Sequence, residues 1–357
     1  MKILLVQQKM IGDVLVSSLL CEHIKEHLPG SEIHYVIEEH TTAVVDQNPF
    51  IDKIVLFRKE YKTSKSKFYG FLKSIRKENY DVVIDVYGKL GSNLITHFSK
   101  AKIKIAYPKW RSKFLFTHHI PIKSWQEGSN YTTIDDRLAL LSPIISEKLD
   151  LQKKPKIYLT AAEIAAAKGF LNDQGINPEK SLIMLGVLGS GNSKTYPLNY
   201  MAELIDSIAT STNAVLLFNY IPSQEKEAKK VYELCSETTR KSISFETFAP
   251  DLRKFLALLK CCDCYIGNEG GSTNMAKALN VPTFSIFSPW IDKTGWSTFA
   301  NEKNIAVHIS DYFPDKIEKM SKKEIKSNTQ KLYESFEPKL FLDRLQEFLD
   351  NEIYPKQ

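Results

Sequence analysis

Two rhythms of apolar residues alternate along the chain. Short, largely apolar runs at 2–7, 32–37, 54–57, 82–86, 102–106, 182–185, 214–219, 264–267 and 283–287 predict buried strands, because a strand covered on both faces needs no polar alternation. Between them, stretches near 14–27, 66–77, 91–99, 161–173, 198–210, 223–236, 251–260 and 272–279 carry apolar residues at helical spacing. In the first of these, Val16, Leu19, Leu20, Ile24 and Leu28 share one face. The order strand, helix, strand predicts α/β domains with parallel sheets and helices on both faces. A polar, Lys- and Pro-bearing stretch at 150–156 divides the series into two roughly equal sets, hence two doubly wound domains. In open sheets of this kind ligands sit at the carboxyl ends of the strands, so the cleft between the domains is the expected site.

Composition narrows the class. With 357 residues, 43% hydrophobic and 25% charged, the chain exceeds one compact core and excludes disorder and fibre. Lys2 is followed by only four apolar residues before Gln7 and Gln8, so neither a signal-peptide core nor a spanning segment is expected, and a cytoplasmic location is. Five cysteines without scaffold spacing fit a reducing compartment. The net charge of +6 is uneven: segments 58–78 and 100–113 mix Lys and Arg with aromatics. Such patches attract nucleic acid, anionic headgroups or phosphorylated glycans, or are simply solvated basic faces.

Three stretches carry chemistry. IGNEGGSTNMAKAL, 266–279, lies where a buried strand turns into a helix. Gly270 and Gly271 let the backbone approach a ligand, and the N–H groups of Gly271, Ser272 and Thr273 leave the helix N-terminus toward a phosphate; alternatively Ser272 or Thr273 only caps the helix. Glu269 can accept bonds from ribose or sugar hydroxyls beside that phosphate. The segment GVLGSGNSKTYP, 186–197, follows another strand and matches neither the Walker loop nor the dinucleotide fingerprint. Its flexible glycines and Lys194 nevertheless suit a diphosphate, unless Lys194 is a solvated loop residue. Near the N-terminus, Gly12 and Asp13 occupy the turn after the first strand, where Asp13 is either an N-cap or a general base.

Together these stretches resemble glycosyltransferase family 9, the ADP-heptose:lipopolysaccharide heptosyltransferases, with the GT-B fold of two facing Rossmann-like domains. The residues that carry the resemblance are Gly12 to Leu15, Asn48-Pro49-Phe50-Ile51-Asp52, Tyr80 to Asp85 and Lys194-Thr195-Tyr196-Pro197. One frame departs from the family pattern: Glu269, Gly270 and Asn274 stand where Asp, a hydroxyl residue and His are usual.

The resemblance implies an N-terminal acceptor domain at 1–155, a nucleotide-sugar domain at 156–335, and a C-terminal helix at 336–357 that packs back on the first. It implies inversion by single displacement, with Asp13 as base and Lys194 stabilising the departing diphosphate without a metal. The implied donor contacts are Gly12, Ser190, Thr195, Glu225, Glu269, Gly270, Gly271, Ser272, Thr273 and Asn274, and the co-substrate is an ADP-sugar. Lys102, Lys104, Lys109, Arg111 and Lys113 are the expected surface for a lipid-linked acceptor on the inner face of the inner membrane. A monomer without nucleic acid as partner is expected. A non-catalytic nucleotide-sugar binder and a nucleotide-sugar epimerase or hydrolase on the same fold are the alternatives. The zinc-like His23-Ile24-Lys25-Glu26-His27 lies away from the expected cleft, and Cys261, Cys262 and Cys264 are expected in the core.

Overall fold

The computed structural model describes residues 1–124, 131–177 and 180–353, without the side chains of 110–112. The chain forms two compact units, Met1–Tyr158 and Leu159–Gln357, close to the division expected at 155. The first contains strands β1 (Lys2–Val6), β2 (Glu32–Glu38), β3 (Lys53–Phe57), β4 (Val82–Asp85), β5 (Ile103–Ala106) and β6 (His118–His119). The second contains β7 (Leu182–Gly186), β8 (Val215–Phe218), β9 (Ile243–Ser244), β10 (Cys264–Asn268), β11 (Thr283–Ile286) and β12 (Asn304–Val307).

All pairings between these strands are parallel, in the orders β3-β2-β1-β4-β5-β6 and β12-β11-β10-β7-β8-β9. Each unit therefore has the doubly wound order in which the first strand lies beside the fourth. The central strands are apolar between their end residues because both faces are covered: Ile3, Leu4, Leu5 and Val6 have no exposed surface, nor do Ile183 and Ile266. The expected α/β class of two Rossmann-like units is borne out. At the edges, β6 and β9 have only two residues each, too short for a sequence pattern, and β12 went unread as well.

Two sequence expectations are corrected. The first helix is two, Ile11–Ser17 and Leu19–His27, interrupted at Ser18, whose hydroxyl bonds the Leu15 carbonyl at 2.7 Å. The last helix, Leu342–Glu352, spends its apolar stripe within the second unit. Leu345, Phe348 and Leu349 are buried in the second unit's core, with the Phe348 ring 5.8 Å from that of Phe284. Its stripe fits a sheet face of its own unit, and burying three such side chains contributes several kcal/mol there. Among the described residues no helix is long and apolar enough to cross a membrane.

Candidate active site

The reversal of strand order opens a crevice beyond the carboxyl ends of β7 and β10, and both glycine-rich stretches emerge there. Gly267 has φ +148°, and a Cβ on it would meet the Gly186 carbonyl oxygen at 2.3 Å, so only glycine lets these two strands approach. Asn268 ties them together: its Nδ2 donates to the Gly186 carbonyl at 2.9 Å, and its Oδ1 accepts from the Tyr196 N–H at 2.7 Å.

The helix Gly271–Ala278 begins behind Gly270, which has no side chain with which to cap it. Ser272 and Thr273 do not cap it either. The Ser272 hydroxyl accepts from Asn219 Nδ2 at 2.8 Å, and the Thr273 hydroxyl donates to the Asn268 carbonyl at 3.4 Å. The first turn therefore keeps its N–H groups for a ligand, at the positive end of the helix. Glu269, at the tip of β10, is largely buried; its Oε2 has no hydrogen-bond partner and lies 3.9 Å from Lys194 Nζ. Burial pushes this carboxyl above its usual range, against the pull of Lys194 and Lys277. Lys194 Nζ also sits 5.6 Å from the centre of the Trp290 ring. Asn274 is half-buried in the helix.

The loop after β7 is internally braced. Thr195 Oγ1 accepts from the Gly189 N–H at 3.1 Å and donates to the Gly191 carbonyl at 3.0 Å, so this hydroxyl closes the loop. The Ser193 carbonyl accepts from Ser288 Oγ at 2.5 Å and Trp290 Nε1 at 3.1 Å. Ser190 is exposed at the loop tip, and Glu225 is exposed in the first turn of Glu225–Leu234. Sequence reasoning missed an aromatic shelf after β8 and β9. Tyr220 stacks on Phe245 (5.2 Å, 25°) and Phe248 (5.9 Å, 28°), and Phe248 stays 38% exposed.

In the first unit, the corresponding crevice lies between β1 and β4. Gly12 and Asp13 stand in the first turn of Ile11–Ser17, whose N-cap position is Met10, so Asp13 is not the cap. Its Oδ1 instead accepts from Arg137 Nη2 at 2.5 Å, and its side chain is 29% exposed. Arg137 belongs to the helix Thr133–Ala139, which sequence periodicity did not reveal. At the tip of β4, Asp85 is fully buried; Oδ1 accepts from the Gly88 N–H at 2.8 Å and Oδ2 has no partner. Burial pushes this carboxyl up to about 6.

The cations expected to form one surface are separated. Lys102 is exposed just before β5 and Lys104 half-buried within it, whereas Lys109 and Lys113 lie beyond its carboxyl end. Lys109 donates to the Gly88 carbonyl at 2.6 Å, and burial lowers its pKa. The side chains of Trp110 and Arg111 lie outside the described residues. The groups His23, Glu26 and His27 come within 4.8 Å of one another, and Glu26 is already paired with the Lys153 ammonium. Cys262 and Cys264 are buried and Cys261 half-buried, as the core reading expected.

The sequence model of glycosyltransferase family 9 (heptosyltransferase) matches residues 68–325. The chain is 26% identical over 294 residues to lipopolysaccharide heptosyltransferase 1 of Campylobacter coli, covering 80% of this chain and 84% of that one. It is 20% identical over 300 residues to lipopolysaccharide heptosyltransferase 3 of Escherichia coli, covering 81% and 84%. A family 9 glycosyl transferase of Veillonella parvula shares the fold with a TM-score of 0.75 at 17% identity, over 94% of this chain and 97% of that one. The ADP-heptose lipopolysaccharide heptosyltransferase II of Escherichia coli does so at 0.69 and 14% identity, over 94% and 99%. The fold in common is the GT-B type. With residues 68–325, most of its length, matched to one family model, the chain is a glycosyltransferase and belongs to glycosyltransferase family 9, the heptosyltransferase family.

Proposed function

We propose that the chain is an inverting transferase that moves a heptose or related sugar from an ADP-linked donor to a lipopolysaccharide core or other cell-surface glycan. The observation that carries this reading is the uncapped N-terminus of Gly271–Ala278 beside Lys194, a built place for a diphosphate. The exposed face of Phe248 offers a stacking surface for a nucleobase, and the Glu269 carboxyl accepts hydroxyl donors from ribose or sugar.

In the proposed reaction the acceptor oxygen attacks the anomeric carbon while the bond from that carbon to the diphosphate oxygen breaks. Asp13 takes the acceptor proton, and the diphosphate leaves with the bonding electron pair. Lys194 and the helix N-terminus meet the charge that develops on it, so transfer proceeds without a metal. The protein acts as a monomer in the cytoplasm. The acceptor reaches the first unit at the inner face of the membrane, by way of exposed Met10, Leu90 and Phe114 with Lys89 and Lys113 beside them in sequence, on segments that follow the carboxyl ends of β1, β4 and β5.

Product analysis with ADP-heptose and a heptose-free lipopolysaccharide core tests the reading. A glycoside of inverted anomeric configuration together with ADP is expected. Free heptose, an isomerised donor or no turnover overturns it, these being the outcomes for a hydrolase, an epimerase and a passive binder.

A further inference from the structure

We propose that Arg137 is the positioning residue of the catalytic base: it fixes the Asp13 carboxylate by one oxygen and leaves the other directed to the acceptor hydroxyl. The proposal rests on the reading of Asp13 as the base. Its foundation is the way three nitrogens of one buried guanidinium are used. Nε donates to Ser17 Oγ at 3.1 Å, Nη1 to the Thr133 carbonyl at 2.9 Å, and Nη2 to Asp13 Oδ1 at 2.5 Å. Two of these bonds lock the planar fork to the protein, and the third transmits that fixed orientation to the carboxylate. Asp13 Oδ2 has no hydrogen-bond partner among the described residues, and the side chain remains partly exposed.

The arrangement answers a requirement of base catalysis. A carboxylate on the first turn of a helix rotates freely about its terminal torsion unless something holds it. A bidentate arginine would hold it but occupy both oxygens. Here the grip is one-sided, so orientation is gained and a proton acceptor is kept. The other titratable groups beside this carboxylate are the phenols Tyr35 from β2, Tyr87 after β4 and Tyr107 after β5, and burial holds all three above their usual range, so they stay neutral. Asp136, beside Arg137 in sequence, is turned to the backbone of Lys123 at 2.7 Å.

The experiment compares kcat and KM in the wild type, Arg137→Met, Arg137→Lys and Ser17→Ala, with thermal midpoints measured alongside. In Arg137→Met the carboxylate loses its fixed orientation while the substrates still bind, so kcat falls about tenfold or more with KM near that of the wild type. Arg137→Lys leaves kcat low, since an ammonium supplies charge without the fork. Ser17→Ala, which cuts one anchor and no charge, lowers kcat modestly with KM unchanged, and covers the case in which the Arg137 variants fail to fold.

The same substitutions in an Asp13→Asn background complete the test, because residues that act through one another are not additive. Arg137→Met is expected to cost almost nothing further there. A wild-type kcat in Arg137→Met, or a full additional loss in the Asp13→Asn background, overturns the positioning role. If instead Asp13→Asn alone keeps full turnover, the base reading itself is wrong, and the two failures are thereby told apart.

Discussion

The two units repeat one strand order and end it in opposite ways. Where β7 meets β10, the crevice is made of backbone: glycines that admit close approach, an uncapped helix N-terminus, and an amide, Asn268, with both ends bonded. Where β1 meets β4, it is made of charged side chains: Asp13 in the grip of Arg137, and Asp85 at the strand tip with one oxygen unpaired. Asn268 and Asp85 are each the last residue of the fourth strand of their unit, so the contrast is a direct one. A backbone crevice suits a ligand that brings its own charge, as a diphosphate does. A crevice of charged side chains suits a proton acceptor.

The largest expected effect breaks the side-chain half alone. Asp13→Asn keeps the shape of the carboxylate and removes its basicity, so transfer should fall about a hundredfold or more while the thermal midpoint stays near that of the wild type. Transfer at the wild-type rate would remove Asp13 from the chemistry.

A second substitution breaks the backbone half. Gly267→Ala places a Cβ 2.3 Å from the Gly186 carbonyl at φ +148°. It should destabilise the protein by about 2 kcal/mol or more, read in a denaturant melt. A stability equal to the wild type would show that the strands need not meet so closely.

The smallest effect sharpens the comparison between the two strand tips. Asp85 is pushed up to about 6 in the folded protein, above its unfolded value. The native state then binds the proton more tightly than the unfolded chain, so this group's contribution to stability improves as pH falls from about 7 through 6 toward 4 and is lost as pH rises. Asp85→Asn mimics the neutral form and should raise the midpoint at pH 8 by a few degrees, about 2–4 °C per kcal/mol, with little gain at pH 5. An equal gain at both pH values would contradict a proton on Asp85.

The same contrast explains what was legible in the sequence. Glycines, a terminal lysine and a strand-to-helix turn are local signals, and 186–197 and 266–279 were readable because a glycine-rich turn at a strand end is built from contiguous backbone. Arg137 meets Asp13 across 124 residues, and its helix of seven residues is too short to show a period, so no local pattern announced the pair. The aromatic shelf of Tyr220, Phe245 and Phe248 was hidden for a like reason, since it assembles from two loops. Thr195 and the cations of 100–113 show the converse: their residue types suggest ligand contacts, but Thr195 closes its own loop and Lys109 reaches the Gly88 carbonyl. The C-terminal stripe was read correctly as apolar, yet periodicity cannot say which sheet will cover it.

The division of labour between the units is tested most directly by titrating ADP into Asp13→Asn and Lys194→Ala in parallel with the wild type. If the second unit holds the diphosphate and the first supplies the base, Asp13→Asn binds ADP with wild-type affinity, whereas Lys194→Ala binds it about tenfold or more weakly because a charge-assisted contact is gone. Weakened ADP binding in Asp13→Asn with affinity unchanged in Lys194→Ala would contradict the account.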